Sequence, residues 1–183
     1  MSTGAEFDPQ RLYDEARKVY AKINPPVRKE GGCLYWSLAT VIAAKNLGLE
    51  KIGYEFQVQA GTASFIRIRQ EDDDGVIDNA FGYEFEDNSR TAMMVALDQM
   101  PEMHCWVGCA KTGTLFDPTT GFLPEQCRET AKMAWLAPDP PPFVCFTQKT
   151  APWWAFYTPS MKATGLAHMF IGNFMAARME GRA

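Results

Sequence analysis

The chain has 183 residues, a net charge of −4 and a hydrophobic fraction of 46%. This length fits one domain, and the apolar content is ample for a packed core. The sequence has no basic stripe to neutralise phosphates and no run of ~18 apolar residues, so we expect neither a nucleic-acid nor a membrane partner. The five cysteines are odd in number and no signal peptide precedes them, so we expect free thiols and a cytoplasmic protein.

Two helices are predicted first in chain order. In residues 8–23 an Asp-Pro start precedes apolar residues at helical spacing, and Asn-Pro-Pro at 24–26 ends this pattern. Residues 33–46 are apolar nearly all round, which is typical of a central, buried helix. Gly48 stands where a glycine commonly ends such a helix.

The pattern then changes to the alternation of strands. Segments with strand character are 52–61, 63–70, 82–87, 103–110, 113–118 and 143–148. Residues 88–100 form a short helix or a connection, 163–180 predict a final helix, and the acidic run 70–75 is more typical of a solvated loop than of a metal site. Helices at both ends of a run of strands favour an α+β fold with the buried helix packed on an antiparallel sheet.

We therefore expect one domain over residues 1–183. Its helical part, 1–50, carries a candidate nucleophile, and residues 51–123 form the sheet. Residues 124–183 are expected to form a C-terminal extension of a strand and a helix.

Cys33 is the candidate nucleophile because it opens the buried helix. The positive end of the helix dipole and the unpaired backbone N–H groups there stabilise a thiolate, which is the reactive form. Gly31 and Gly32, which precede it, allow a substrate backbone to approach closely. The alternative is a buried cysteine that only fills the core.

His104 has two candidate chemical roles, as a zinc ligand beside the cysteines or as a catalytic base. Strand alternation in "MHCWVGC" places His104 and Trp106 on one face, and Cys105 and Cys109 on the other. A zinc site would need ligands from both faces, and the spacing fits no common zinc pattern. Asp117 follows on the next predicted strand, close enough to orient an imidazole, although "FDPTTG" is also an ordinary turn sequence.

Cys33 at a helix start, "HCWV" on a strand and "FDPTTG" on the next strand together resemble the transglutaminase-like branch of the papain-like cysteine enzymes. The resemblance covers residues 31–121. It implies a triad in which Cys33 attacks an amide or acyl carbonyl of a peptide or protein, His104 moves the proton, and Asp117 orients His104. The implied activity is that of a peptidase, deamidase or acyl transferase, without metal or cofactor. A catalytically inactive binding protein of this fold and, less favoured, a small zinc-binding protein remain as alternatives.

Other residues complete the set of candidates. We expect Gly32, Trp106, Trp153 and Trp154 to contribute to substrate binding, the last two from the aromatic segment 151–159. Gln10 and Asn24 are the upstream side chains that could assist an oxyanion, but neither has a supporting spacing. His168 in the last helix is the alternative base. The oligomeric state is not indicated.

Overall fold

A computed structural model describes residues 7–27, 32–72 and 75–181. Over these residues the chain forms an α+β fold of five α-helices and six strands. The helices are α1 (Pro9–Ile23), α2 (Cys33–Asn46), α3 (Ser89–Ala96), α4 (Leu123–Thr130) and α5 (Met161–Met179). The strands are β1 (Gln57–Asp72), β2 (Gly75–Tyr83), β3 (His104–Cys109), β4 (Thr114–Asp117), β5 (Val144–Phe146) and β6 (Ala155–Pro159). Short 3₁₀ helices cover Leu49–Ile52 and Thr120–Phe122.

All six strands belong to one antiparallel sheet in which β1 is the longest strand. The path through the sheet is β2-β1-β3-β4-β5, and β6 also pairs with β1. Residues 57–61 of β1 pair with β3, 61–65 with β6, and 63–72 with β2. One central strand therefore holds in register its hairpin partner β2 and two strands that are distant in sequence, β3 and β6.

Helices cover both faces of this sheet because β1 alternates its side chains between them. Val58 and Ala60 face the cluster formed with α2 and α5, whereas Ala63 and Phe65 face a cluster that includes α4. The amphipathic α1 buries Leu12, Tyr13, Ala16, Val19 and Tyr20 against α2 and the sheet. The prediction of a buried central helix is confirmed, since nine residues of α2 are buried.

Several predicted boundaries differ from the structure. The two strands predicted over 52–61 and 63–70 form one strand, β1, which begins only at Gln57 and which Gly61 does not interrupt. The backbone of β6 approaches Gly61 so closely that an added Cβ would lie 2.2 Å from the Thr158 carbonyl oxygen. Of the strand predicted at 82–87, only residues 82–83 belong to a strand, as the end of β2, and residues 84–87 are outside any strand. The expected C-terminal helix is α5, but from residue 123 onward the chain forms two helices and two strands of the shared sheet, where one strand and one helix were expected.

Two earlier expectations fall partly outside the described residues. Gly31, the first glycine before α2, is outside them, and so are residues 73–74 of the acidic run. The backbones of Asp72 and Gly75 pair where β1 meets β2. Among the described helices, none combines the length and the apolar character that crossing a membrane requires.

Candidate active site

His104 and Asp117 meet at one end of a strand pair. His104 is the first residue of β3 and Asp117 the last of β4, and these strands are antiparallel neighbours. The His104 Nε2 atom lies 2.7 Å from Asp117 Oδ2, and both side chains are buried. The structure thus brings together the two residues that the sequence placed on adjacent strands.

Three further hydrogen bonds hold the Asp117 carboxylate. Thr119 donates to Oδ1 from its backbone N–H at 2.9 Å and from its hydroxyl at 2.7 Å. The Tyr157 hydroxyl donates to Oδ2 at 2.7 Å. Burial by itself raises the pKa of Asp117, but His104, Thr119 and Tyr157 outweigh it and lower this pKa overall. These interactions therefore favour the ionised form of the buried Asp117 carboxyl group.

Cys33 lies at the start of α2, as the sequence predicted. Gly32 at the N-cap has no side chain to cap the helix, so the first-turn N–H groups remain available beside the thiol. A hydrogen bond from Cys105 lowers the pKa of Cys33 most; burial opposes this, and the His104 hydrogen bond and charge lower it further. The net pKa of Cys33 is well below its ordinary value, which favours the thiolate.

The imidazole of His104 bonds to the carboxylate and also affects the pKa of the Cys33 thiol. Burial lowers the pKa of His104, but Asp117 and Cys33 outweigh this effect and raise the pKa to about 10. With Nε2 bonded to Asp117, the Nδ1 atom has no hydrogen bond of regular geometry within the described residues. Cys33 is nevertheless close enough to His104 for the charge on each residue to shift the pKa of the other. A thiolate beside an imidazolium is the resting pair that this arrangement favours.

Cys105 is part of the same cluster, although the sequence suggested only a core thiol. It packs with Cys33, Val58 and Ala60 on the α2 side of the sheet, the face opposite that of His104. Cys33 reaches both residues because the start of α2 lies over the start of β3. Its interaction with Cys33 raises the pKa of Cys105 well above the ordinary value, which favours the protonated thiol of Cys105. The alternation of side chains along the strand predicted the face on which Cys105 lies, but it did not predict the contact with Cys33.

Aromatic rings enclose His104. Tyr83 stacks on the imidazole with 5.1 Å between ring centroids and 17° between planes, and Phe65 meets it edge-on at 5.6 Å. Trp106 lies 6.2 Å from His104 and donates its indole N–H to Gln59 Oε1 at 2.9 Å. Trp106 is 0% exposed and packs against His104 inside the fold. It therefore offers no surface to a substrate, contrary to the binding role expected for it.

A cavity of about 680 Å³ opens beside Cys33. Tyr83 and Gln126 form part of its wall, together with three methionines, three glutamates and one arginine. These last seven residues are Met94, Met100, Met103, Glu84, Glu86, Glu102 and Arg90. The cavity combines apolar surface with a net negative charge, which favours cationic over anionic groups near the thiol.

The other predicted binding residues lie elsewhere. Within the described part of the chain, the lining of the Cys33 cavity includes neither Gly32 nor Trp153 nor Trp154. Trp153 is 52% exposed, with the Arg69 guanidinium 4.4 Å from its ring centroid. Trp154 packs 6.4 Å from Phe65. The aromatic segment contributes to the site through Tyr157 instead.

The secondary candidates from the sequence do not line the thiol cavity either. Gln10 is exposed on α1 and donates to Asp14 at 3.1 Å, and Asn24 ends α1 in a left-handed conformation. His168 lies on α5, with Nε2 3.2 Å from the Val58 carbonyl oxygen, beside a separate cavity of about 380 Å³. The described residues contain no group of three or more His, Cys, Asp or Glu side chains placed to hold a metal ion.

No protein-family model, curated protein or solved structure matches this chain. The function of the site therefore has to follow from its own chemistry. That chemistry consists of a thiol with a lowered pKa, an imidazole with a raised pKa and a buried carboxylate, next to an open cavity.

Proposed function

We propose that this protein is a cysteine-nucleophile enzyme that acts on an amide or acyl bond of a peptide or protein. The observation that carries the proposal is the coupling of Cys33 to His104, whose Nε2 lies 2.7 Å from the buried Asp117 carboxylate. A cysteine helix packed on the sheet that carries the histidine and aspartate also supports a papain-like fold of the transglutaminase-like branch.

In the first half of the proposed reaction, the Cys33 thiolate attacks the carbonyl carbon of the substrate. The His104 imidazolium then gives a proton to the leaving amine, ammonia or alcohol, and an acyl thioester remains on Cys33. Asp117 keeps the imidazole ring oriented and stabilises its positive charge throughout this step. The raised pKa of His104 supports the acid role at neutral pH.

In the second half, neutral His104 takes a proton from the incoming nucleophile, which attacks the thioester. Water as nucleophile gives a peptidase or deamidase, and an amine gives an acyl transferase. The cavity of about 680 Å³ has room for side chains of a peptide substrate, and its open mouth admits either nucleophile. All five cysteines are free, which suits a reduced, cytoplasmic setting in which the nucleophile stays active.

The test is competitive labelling of the five cysteines by iodoacetamide near neutral pH, with mass spectrometry of the tryptic peptides. We expect Cys33 to react at least 10-fold faster than each of the other four cysteines, because only its thiolate is both stabilised and open to the cavity. The Cys33→Ser variant serves as a control, since it removes the fast site and leaves the rates of Cys109, Cys127 and Cys145 unchanged.

Two results would contradict the proposal. Slow and similar labelling of all five cysteines would favour an inactive binding protein of the same fold. Near-stoichiometric zinc in elemental analysis of the purified protein, lost in Cys105→Ser, would favour a metal-binding protein instead.

A further inference from the structure

Acyl chemistry at Cys33 needs a hydrogen-bond donor for the oxyanion. When the thiolate attacks, negative charge develops on the carbonyl oxygen, and fixed donors that face this oxygen lower the barrier. The backbone N–H of Cys33 in the first turn of α2 is one such donor. A second donor should come from a side chain at the cavity wall, and neither Gln10 nor Asn24 lies there.

Gln126 on α4 occupies that wall. Its side chain lines the same cavity as Cys33, yet the residue is only 5% exposed, so its amide is held in place. The Tyr83 hydroxyl donates to Gln126 Oε1, and the Tyr83 ring is stacked on His104. Gln126 is thereby connected to the catalytic imidazole through one aromatic ring.

This hydrogen bond fixes which amide atom of Gln126 is available. Because Oε1 accepts from Tyr83, the Nε2 group keeps both of its protons, and it has no acceptor among the described residues. Burial and the Cys33 charge raise the pKa of Tyr83, so the phenol keeps the proton that it donates. A primary amide with a fixed oxygen and an unpaired N–H₂ at a reactive thiol has the properties of an oxyanion donor.

We propose that Gln126, oriented by Tyr83, is a catalytic residue that donates from Nε2 to the oxyanion formed at Cys33. The inference rests on the proposed acyl chemistry. As the Cys33 sulfur bonds to the carbonyl carbon, the π electrons of the carbonyl move onto its oxygen, which accepts from Gln126 Nε2 and from the Cys33 N–H. When the carbonyl re-forms, the bond to the leaving group breaks and His104 supplies the proton to that group.

The test compares two reagents for the same thiolate. Acylation by p-nitrophenyl acetate passes through a tetrahedral oxyanion, whereas alkylation by iodoacetamide is a displacement that forms none. The ratio of the two second-order rate constants at Cys33 therefore measures oxyanion stabilisation separately from thiolate reactivity. Glutathione gives the ratio for a thiol without an oxyanion site.

We expect the ratio for the wild-type protein to exceed that of glutathione more than about 100-fold, since two donors face the oxyanion. Gln126→Ala and Gln126→Glu should each lower the ratio about 100-fold, because each removes the amide donor, and should leave alkylation nearly unchanged. Tyr83→Phe should lower the ratio less, since the amide remains but is no longer oriented. Gln57→Ala is the matched control, because Gln57 is exposed and lines the other cavity.

The outcomes separate this inference from the proposed function. Fast alkylation with a ratio no higher than that of glutathione, or an unchanged ratio in both Gln126 variants, overturns the inference alone. A parallel loss of both reactions in both Gln126 variants assigns Gln126 a structural role and also overturns it. Slow alkylation of the wild-type Cys33 overturns the proposed function and this inference with it.

Discussion

Tyr157 and His104 bind the same oxygen of Asp117. The Tyr157 hydroxyl and the His104 Nε2 atom each lie 2.7 Å from Oδ2, while Thr119 occupies Oδ1. Tyr157 lies on β6, forty residues after Asp117, and it reaches the carboxylate because β6 pairs with β1. One oxygen of the Asp117 carboxylate thus interacts both with His104 and with a tyrosine from the C-terminal part of the fold.

Tyr157→Phe should lower the free energy of unfolding at pH 7 by about 1.5 kcal/mol, since it removes a hydrogen bond to a charged group. The lowered pKa of Asp117 gives the sign of the pH dependence. This stabilisation is present above the unfolded pKa of about 3.9 and is lost as the pH falls through the lower native pKa. Urea unfolding at pH 7 and pH 3 should therefore show a smaller difference between variant and wild type at pH 3.

Tyr54→Phe is the matched control for this measurement. The Tyr54 hydroxyl has no hydrogen bond among the described residues, and its ring packs on Phe7 and Phe56. We expect its substitution to change stability by less than about 0.5 kcal/mol. Equal losses in the two variants would contradict the role assigned to the Tyr157 hydroxyl.

The pH profile of Cys33 alkylation should depend on His104. Because the pKa of Cys33 is well below its ordinary value, the wild-type rate should already reach a plateau below pH 7. In His104→Gln the positive charge is absent, the pKa of Cys33 rises, and the rate at pH 6 should fall at least 10-fold and recover as the pH increases. Cys145 is an internal control: burial raises its pKa to about 11, so its labelling should stay slow up to pH 9. A wild-type rate that increases continuously from pH 6 to pH 9 would refute the ion pair.

Cys105 should adjust the reactivity of Cys33 through its thiol proton. In Cys105→Ala the donor is absent, so the pKa of Cys33 should rise and alkylation at pH 6 should slow several-fold. Cys105→Ser retains a donor and should restore most of the rate. Cys109→Ala removes a buried thiol from the neighbouring core and should leave the rate unchanged. The interpretation fails if the alanine and serine variants of Cys105 behave alike.

Gly61 should be intolerant of substitution because β6 approaches it so closely. An added Cβ would lie 2.2 Å from Thr158 O and 2.9 Å from Ser160 N, both backbone atoms, so Gly61→Ala should cost about 2–3 kcal/mol of stability. Gly165→Ala is the contrast, since Gly165 is exposed within α5 and an added Cβ has no atom within 4 Å. It should stabilise the protein by about 0.5–1 kcal/mol. Thermal unfolding of both variants checks this pair, and a stable Gly61→Ala would show that β6 can move away from β1.

Local patterns in the sequence were sufficient for α1, α2 and the hairpin that carries His104 and Asp117. Each of these features depends on periodicity or turn residues within about fifteen positions of the sequence. Because His104 and Asp117 lie on adjacent strands of this hairpin, His104 Nε2 can approach Asp117 Oδ2 to 2.7 Å. The catalytic roles of Cys33, His104 and Asp117 stay predictions.

Contacts that depend on distant pairing could not be predicted in the same way. Tyr83, Tyr157 and Gln126 have no local signal that directs them to His104 or Asp117, since their positions depend on how β2, β6 and α4 assemble around β1. The segment that contains β6 looked like an aromatic surface, because its prolines and paired tryptophans obscure the alternation. The sequence pattern predicted that a strand ends at Gly61. In the structure the strand continues, and the absence of a side chain at Gly61 lets β6 approach closely.

The pairing of β1 with three other strands has a consequence for the order in which the contacts around His104 form during folding. On β1, Gly61 pairs with His104, and Ala63 pairs with both Tyr83 and Tyr157, so two nearby positions align all three rings. Tyr157 lies in the last strand of the chain, and until β6 docks, Asp117 lacks one of its donors. A ribosome-bound or shortened chain without β6 therefore leaves the Asp117 carboxylate beside His104 with one hydrogen-bond donor fewer than in the complete fold.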